Sequence, residues 1–311
     1  MDNQNTSTNR RAQIIAVGNQ KGGVGKTTNT VHIAAALGEM GRKCLIIDLD
    51  PNDTATRHLG IEGEAFFGSY ELLTGDESVQ TVILKEDDPD LPEGIGFPKG
   101  VHLVPSCRKL EILDDVLPEK QGKFYSARDI LLDPLSTVFD KYDYILLDTA
   151  PNSRVPTKAA YLVADWFLLT AMPEPFAITG LTDALRDIQD AQRRLNPSLK
   201  LLGVIIAGVD RRTNLSNSLT EYVQTTFSTP DGESAKFHTI ISRSTVIPSA
   251  QKAGKTVFQT SPDHAVAHQY RALVTEIEGR IARLTPGLAL PEPQRTMPSP
   301  PEPVSKEVVN G

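Results

Sequence analysis

The stretch Gln20-Lys21-Gly22-Gly23-Val24-Gly25-Lys26-Thr27-Thr28 decides how this chain is read. Before it lies a brief apolar run, Ala12 to Val17, which reads as a strand. After it, Thr27 to Met40 carries Val31, Ile33, Ala34 and Leu37 at helical spacing, so it reads as a helix that Gly41 ends. A glycine-rich turn between strand and helix lets backbone N–H groups close on phosphate oxygens. The helix N-terminus adds a favourable dipole there.

Gly22, Gly23, Val24 and Gly25 form that turn, and with Lys26, Thr27 and Thr28 they are the candidate nucleotide-binding residues. Lys26 is placed to reach β- and γ-phosphates, Thr27 offers a hydroxyl to Mg²⁺, and Thr28 lies near the α-phosphate. The general P-loop pattern is Gly-x-x-x-x-Gly-Lys-Ser/Thr. Here Gln20 stands at the first glycine position, and a second lysine, Lys21, follows it.

Two further apolar runs end in carboxylates. Leu45-Ile46-Ile47-Asp48-Leu49-Asp50-Pro51 delivers Asp48 and Asp50 at the carboxyl end of a strand, where ligands bind in open α/β sheets. Their spacing of two puts both on one side if the strand continues. Tyr144-Ile145-Leu146-Leu147-Asp148 is the second, with the shape of a Walker B strand. Phosphoryl transfer to water needs charge neutralisation and one group to place the water.

Working outward, strands are expected at Cys44 to Ile47, Tyr144 to Leu147, Trp166 to Thr170, Leu201 to Ala207 and His238 to Ile241. Helices are expected at Ser126 to Tyr142, Gly180 to Leu195, Leu215 to Phe227 and Pro262 to Leu284. Glu64 to Leu117 is less regular, with a Pro/Gly/Asp-rich interruption at Asp87 to Gly100. Short apolar strands alternating with helices predict a doubly wound α/β fold, a mostly parallel sheet covered by helices on both faces. The domain is expected over 12–284, between a disordered arm at 1–11 and a Pro-rich disordered tail at 285–311.

Composition narrows the setting. Of 311 residues, 39% are hydrophobic, enough for one sizeable core. The net charge of -7 excludes a surface coated in positive charge, so nucleic acid would need a local patch or two subunits' patches. Cys44 and Cys107 are too few for a disulfide framework or a four-thiolate site, which suits a reducing cytosol. No apolar run is long enough to span a membrane, and the polar start lacks the apolar core of a secretory signal. A cytoplasmic protein without membrane insertion is expected.

The Lys21 departure resembles the deviant Walker A box of the ParA/MinD family of ATPases, Lys-Gly-Gly-x-x-Lys-Thr/Ser. The resemblance covers about Ile14 to Arg283 and implies a P-loop NTPase that binds ATP and Mg²⁺ and pairs as a homodimer. In that family the extra lysine crosses to the partner's ATP, so Lys21, Lys26 and Asp50 are the implied catalytic residues. Asp50 would orient the attacking water. Thr27, Asp48 and Asp148 would serve the metal, Asp148 through a bound water.

Within the family, Gly18-Asn19-Gln20 and Asp50-Pro51-Asn52-Asp53-Thr54-Ala55-Thr56 look like the ParA/Soj branch that partitions DNA, with Asn52 and Asp53 in place of Gln and Gly. Asp210-Arg211-Arg212-Thr213-Asn214-Leu215 resembles a loop whose arginine binds DNA without sequence preference. Ile241-Ser242-Arg243-Ser244-Thr245-Val246 resembles Ile-Pro-Arg-Asn-x-Arg, with Val246 at the second arginine. Arg211, Arg212 and Arg243, with Lys252 and Lys255, are the implied phosphate contacts.

The resemblance implies nonspecific DNA binding in the ATP state, nucleoid association, and hydrolysis that is slow alone and stimulated by a ParB-like or cargo-adaptor partner. No operator recognition is expected. The alternative is a MinD-like membrane-cycling ATPase, which requires a basic amphipathic C-terminal helix. A nitrogenase-type reductase would need interface cysteines, and a tyrosine kinase would need a tyrosine cluster in its tail.

Overall fold

The apolar runs pair into one six-stranded sheet, all parallel, in the order β3-β2-β4-β1-β5-β6. The strands are β1 (Gln13–Gly18), β2 (Cys44–Leu49), β3 (Val101–Val104), β4 (Tyr144–Thr149), β5 (Trp166–Ala171) and β6 (Lys200–Ile206). The computed structural model describes residues 11–92, 94–121, 126, 129–151, 154–194, 196–210 and 212–286. The expected arm at 1–11, apart from Arg11, and nearly all of the expected tail lie outside the described residues.

Twelve α-helices lie among the described residues. They are α1 (Lys26–Glu39), α2 (Thr54–His58), α3 (Ser69–Thr74), α4 (Val79–Val82), α5 (Leu113–Gln121) and α6 (Asp129–Ser136). After these come α7 (Val155–Val163), α8 (Ala177–Arg194), α9 (Asn214–Thr226), α10 (Val246–Lys252), α11 (Val257–Thr260) and α12 (Ala265–Leu284).

Strand periodicity divides the core in two. Ile14, Ala16, Leu45, Ile47, Ile145 and Leu147 point into one layer, which also holds Leu131, Leu181 and Ile188. Their neighbours Ile15, Val17, Ile46, Tyr144 and Leu146 point into the other, with Val31, Leu37, Tyr270 and Ile277. Strands buried on both faces must be apolar throughout, which explains why these runs show no alternation.

The second layer carries two polar ties of long sequence span. Arg42 donates through Nε and Nη2 to Glu278 at 2.7 and 3.1 Å, and Tyr144 Oη donates to the same carboxylate at 3.0 Å. Tyr270 Oη donates to Asn29 Oδ1 at 2.8 Å, joining α12 to α1. A buried ion pair is tolerated only with such complete hydrogen bonding.

Several elements differ from the sequence expectation. The helix expected over Ser126 to Tyr142 is confined to Asp129–Ser136 among the described residues. Pro134 offers no N–H, and Thr137 and Val138 close three-residue turns on Pro134 and Leu135 instead. No strand forms at His238 to Ile241. The N–H groups of His238 and Thr239 are taken by the Glu276 carboxylate of α12 at 2.7 and 3.1 Å. Ile241 alone of the segment bonds the sheet, its N–H donating to the Ile206 carbonyl of β6 at 3.1 Å, and isolated bridges flank it, Val204 with Lys236 and Val209 with Ser242. The last helix starts at Ala265 rather than Pro262, because the His264 side chain accepts from the Val266 N–H. Helices α2, α7, α10 and α11 had no counterpart in the sequence reading, and β3 is a strand fragment within the less regular 64–117 region, where no position was assigned to it.

Candidate nucleotide site

β1, β2 and β4 lie side by side, so Gly18, Asp48 and Asp148 arrive together at the carboxyl edge of the sheet. Asp48 and Asp148 are register partners on adjacent parallel strands, and both are fully buried. The loop after β1 turns back through Gly23 at φ 76 and Gly25 at φ 84, left-handed conformations that other side chains rarely adopt. Gly25 is the residue before the first turn of α1, so the loop's N–H groups face the same edge.

Lys26 is buried and its Nζ donates to the carbonyl of Lys21 at 3.3 Å. Burial lowers its pKa, opposed by the charges of Asp148 and Asp50. Thr27 Oγ1 donates to Asp148 Oδ2 at 2.7 Å, and Thr30 Oγ1 donates to Asp148 Oδ1 at 3.0 Å. Thr28 turns its carbonyl to His32 Nδ1 at 2.8 Å. Val24 is buried beneath the loop.

The carboxylates are not equivalent. Asp48 Oδ2 accepts from both the N–H and the hydroxyl of Thr56 at 2.9 and 2.8 Å, and Oδ1 accepts from the Asp50 N–H at 3.1 Å. Its lone pairs are thus committed to α2 and the strand end. Burial raises its pKa, with the neighbouring Asp148 charge acting the same way. Asp148 is also raised by burial, opposed by the Thr27 hydroxyl and Lys26. Asp50 Oδ1 accepts from the Asn52 N–H at 2.9 Å and from Asn52 Nδ2 at 2.8 Å. Ser106 Oγ donates to the Asp50 carbonyl at 2.7 Å.

The front half of the loop is fastened to β5 and α8. Asn19 donates to the Thr170 carbonyl at 2.8 Å and accepts from the Lys21 N–H at 2.9 Å. Gln20 Nε2 donates to Asp187. Lys21 Nζ donates to Glu174 Oε2 at 2.9 Å and to the Pro175 carbonyl at 3.0 Å. Gly180 lets the first turn of α8 approach, since a Cβ there would lie 3.3 Å from Lys21 Cβ.

Beside Gly25 and Thr28 opens a cavity of about 240 Å³ lined by Met172, Gly208, Pro248 and Tyr270. Residues 12–201 match the family described as AAA domain. Over 274 residues the chain is 33% identical to the chromosome-partitioning ATPase Soj of Thermus thermophilus, spanning 87% of this chain and 98% of that protein.

This chain belongs to the ParA/Soj-type P-loop ATPase family.

The chromosome partitioning protein ParA of Caulobacter vibrioides is 29% identical over 269 residues, 86% of this chain and 94% of that one. A cobyrinic acid a,c-diamide synthase from Mycobacterium smegmatis, solved with an ATP analog and magnesium, superposes with a TM-score of 0.71. It is 26% identical, over 90% of this chain and 98% of that one.

In this ParA/Soj-type chain the residues expected at DNA part company. Arg211 lies outside the described residues. Arg212 is 89% exposed at its side chain and is held by Asp210 through Nε at 3.0 Å and Nη2 at 2.8 Å. That contact, with Arg243 nearby, pushes Asp210 down to about 2. Arg243 itself lines the cavity beside Gly25. Lys252 is exposed on α10, and Lys255 is half-buried.

Sequence reading missed Glu174, Asp187, Thr30 and Thr56. Thr30 follows Thr27 by three residues on one helix, so spacing alone could have placed it beside Asp148. Glu174 and Asp187 lie over 150 positions from the loop they hold, and nothing local marks them.

Proposed function

We propose that the chain is an ATPase that binds ATP·Mg²⁺, pairs with a second copy over the nucleotide, and holds DNA without sequence preference in that state. Lys26 and the N–H groups from Gly22 to Gly25 would bind the phosphates. Thr27 and Asp148 offer the hard oxygen donors that Mg²⁺ takes alongside phosphate, and Asp48 supports them from the next strand. Bound Mg²⁺ supplies charge neutralisation for the leaving phosphate. Asp50 would orient water once Asn52 lets go. The cavity beside Gly25 has the apolar walls that suit a purine.

The observation that carries this reading is Lys21, a lysine at the mouth of the phosphate loop in place of the usual residue, in a chain 33% identical to Soj. The cargo, a plasmid, a chromosome region or a protein assembly, would be supplied through a ParB-like adaptor that stimulates hydrolysis. Such a protein would work in the cytoplasm on the nucleoid. The MinD-like alternative has less support. α12 buries Val266, Tyr270, Leu273, Val274, Ile277 and Ile281 in the core, which leaves that face unavailable to lipid. No described helix is long and apolar enough to cross a membrane.

The test is DNA binding measured with ATP, with ADP and without nucleotide, across a salt series. Tight binding with ATP alone is expected, weakening steeply with salt. Equal binding in all three states would sink the switch.

A further inference from the structure

Between α2 and α10 lies an open cleft of about 400 Å³, lined by Thr54, Arg57, Pro248, Gln251 and Lys252. Two cations, a hydroxyl and a side-chain amide face it, the donor set that suits a phosphate diester. Lys252 is exposed and forms no ion pair among the described residues. Arg57 is different. Its Nε contacts Asp53 Oδ1 at 2.6 Å, and its Nη2 donates to the Asn52 carbonyl.

Those two contacts brace the loop that holds Asp50. Asp53 has φ 48, a left-handed conformation that aspartate tolerates better than most residues other than glycine. Asn52, its neighbour, occupies Asp50 Oδ1 with its backbone N–H and its side-chain amide. The guanidinium of Arg57 therefore braces this turn, and the turn keeps the Asp50 carboxylate engaged. The side chain of Arg57 is 62% exposed, so an anion in the cleft can compete for it without any opening of the fold.

We infer that this cleft receives a DNA backbone phosphate between Arg57 and Lys252, and that the phosphate, by drawing Arg57 from Asp53 and Asn52, frees Asp50 for hydrolysis. Arg57 is then a positioning residue, coupling the DNA face to the nucleotide site. The inference rests on the DNA-binding reading above and adds a route by which bound DNA speeds turnover. DNA is the occupant because the cleft's two cations complement phosphate, and the adjoining cavity, which shares Pro248 and Gln251 with it, presents Arg243 to the next phosphate of a continuous backbone.

The experiment uses the full chain with ATP and short duplexes of unrelated sequence, and measures affinity, salt slope and ATP turnover. Lys252→Ala and Arg57→Ala should each weaken binding several-fold and reduce the salt slope by about 1. Arg57→Ala should raise DNA-free turnover about two- to five-fold, the size of an exposed ion pair, and DNA should add little further. Arg57→Lys should keep the salt slope yet share the raised turnover, because one ammonium cannot hold Asp53 and Asn52 together. Variants that bind DNA with the wild-type slope would overturn the site while leaving the partition reading standing. Wild-type turnover in DNA-free Arg57→Ala would overturn the coupling. A wild-type chain that binds no DNA in any nucleotide state would remove the reading and the occupant together.

Discussion

Lys21 is held in its own subunit by Glu174, with Nζ 2.9 Å from Oε2 and a second bond to the Pro175 carbonyl. If Lys21 reaches a second copy's nucleotide, as the proposed pairing requires, it cannot keep both contacts. The pair is partly exposed, so it contributes only about 1 kcal/mol or less to the fold. Glu174→Ala should leave the melting temperature within about a degree or two. It should strengthen ATP-dependent self-association up to about five-fold, read by sedimentation or light scattering. Weaker association would show that Glu174 helps the dimer rather than restraining it.

Asp50→Ala should stop hydrolysis while leaving ATP binding intact, so that an ATP-bound dimer accumulates. Single-turnover measurements check this directly. Hydrolysis at the normal rate would remove Asp50 from the water-orienting role.

Thr56→Val preserves shape and deletes one hydroxyl. That hydroxyl donates to the buried Asp48 and accepts from the Ser106 N–H at 2.9 Å. Both partners would be left short of a bond inside the protein. A loss of about 1–3 kcal/mol in urea-measured stability is expected. An unchanged midpoint would mean that water replaces the hydroxyl.

His32 and His58 sit ring to ring with centroids 5.3 Å apart, buried near Tyr270 and Phe258. Burial pushes His32 down to about 4 and His58 down to about 3, from an ordinary 6.5. Both are neutral when folded, and His32 Nε2 accepts from the Val257 N–H. The unfolded chain takes up protons first as pH falls. The stability these groups contribute is complete above pH 6.5 and is lost as pH falls through 6.5 toward 4 and then 3. His58→Leu removes one of the two protons. Its stability should fall less steeply than wild type below pH 6.5, by about 1.4 kcal/mol per pH unit. Parallel urea-midpoint curves for the two proteins would refute this.

Arg212→Ala should weaken DNA binding several-fold and leave ATP-dependent pairing intact, because Arg212 is exposed and, among the described residues, is hydrogen-bonded only to Asp210. Asp210→Asn should do the reverse, since its carboxylate competes with phosphate for Arg212. Gel-shift titrations with ATP present distinguish the two. Loss of pairing together with binding would assign Arg212 to the fold.

Strands β1, β2 and β4 were legible because each is buried on both sides and reads as an apolar run that ends at a candidate site residue or the glycine loop. Gly18, Asp48 and Asp148 announced the edge where the site lies. The edge strand β3 was not legible, because Val101–Val104 is four residues long and sits in a polar, proline-rich region. His238 to Ile241 misled for the opposite reason. Its composition suits a strand, yet Glu276, 38 residues past His238, takes the N–H groups of His238 and Thr239. The residues expected at DNA were named by local pattern alone, and local pattern cannot reveal that Asp210 pairs with Arg212 or that Arg243 lines the cavity beside Gly25.

The buried triangle of Arg42, Glu278 and Tyr144 carries a consequence for biosynthesis. Arg42 and Tyr144 leave the ribosome long before Glu278, which is 236 residues beyond Arg42. Asn29, on the helix that follows the phosphate loop, waits likewise for Tyr270, 241 residues later. Until α12 is made, a guanidinium and an apolar sheet face have no cover, and closing such distant contacts is slow. A nascent chain stopped short of Glu278 is therefore a client for chaperones and proteases, and the ATP site would be completed at the end of synthesis rather than with the residues that first announce it.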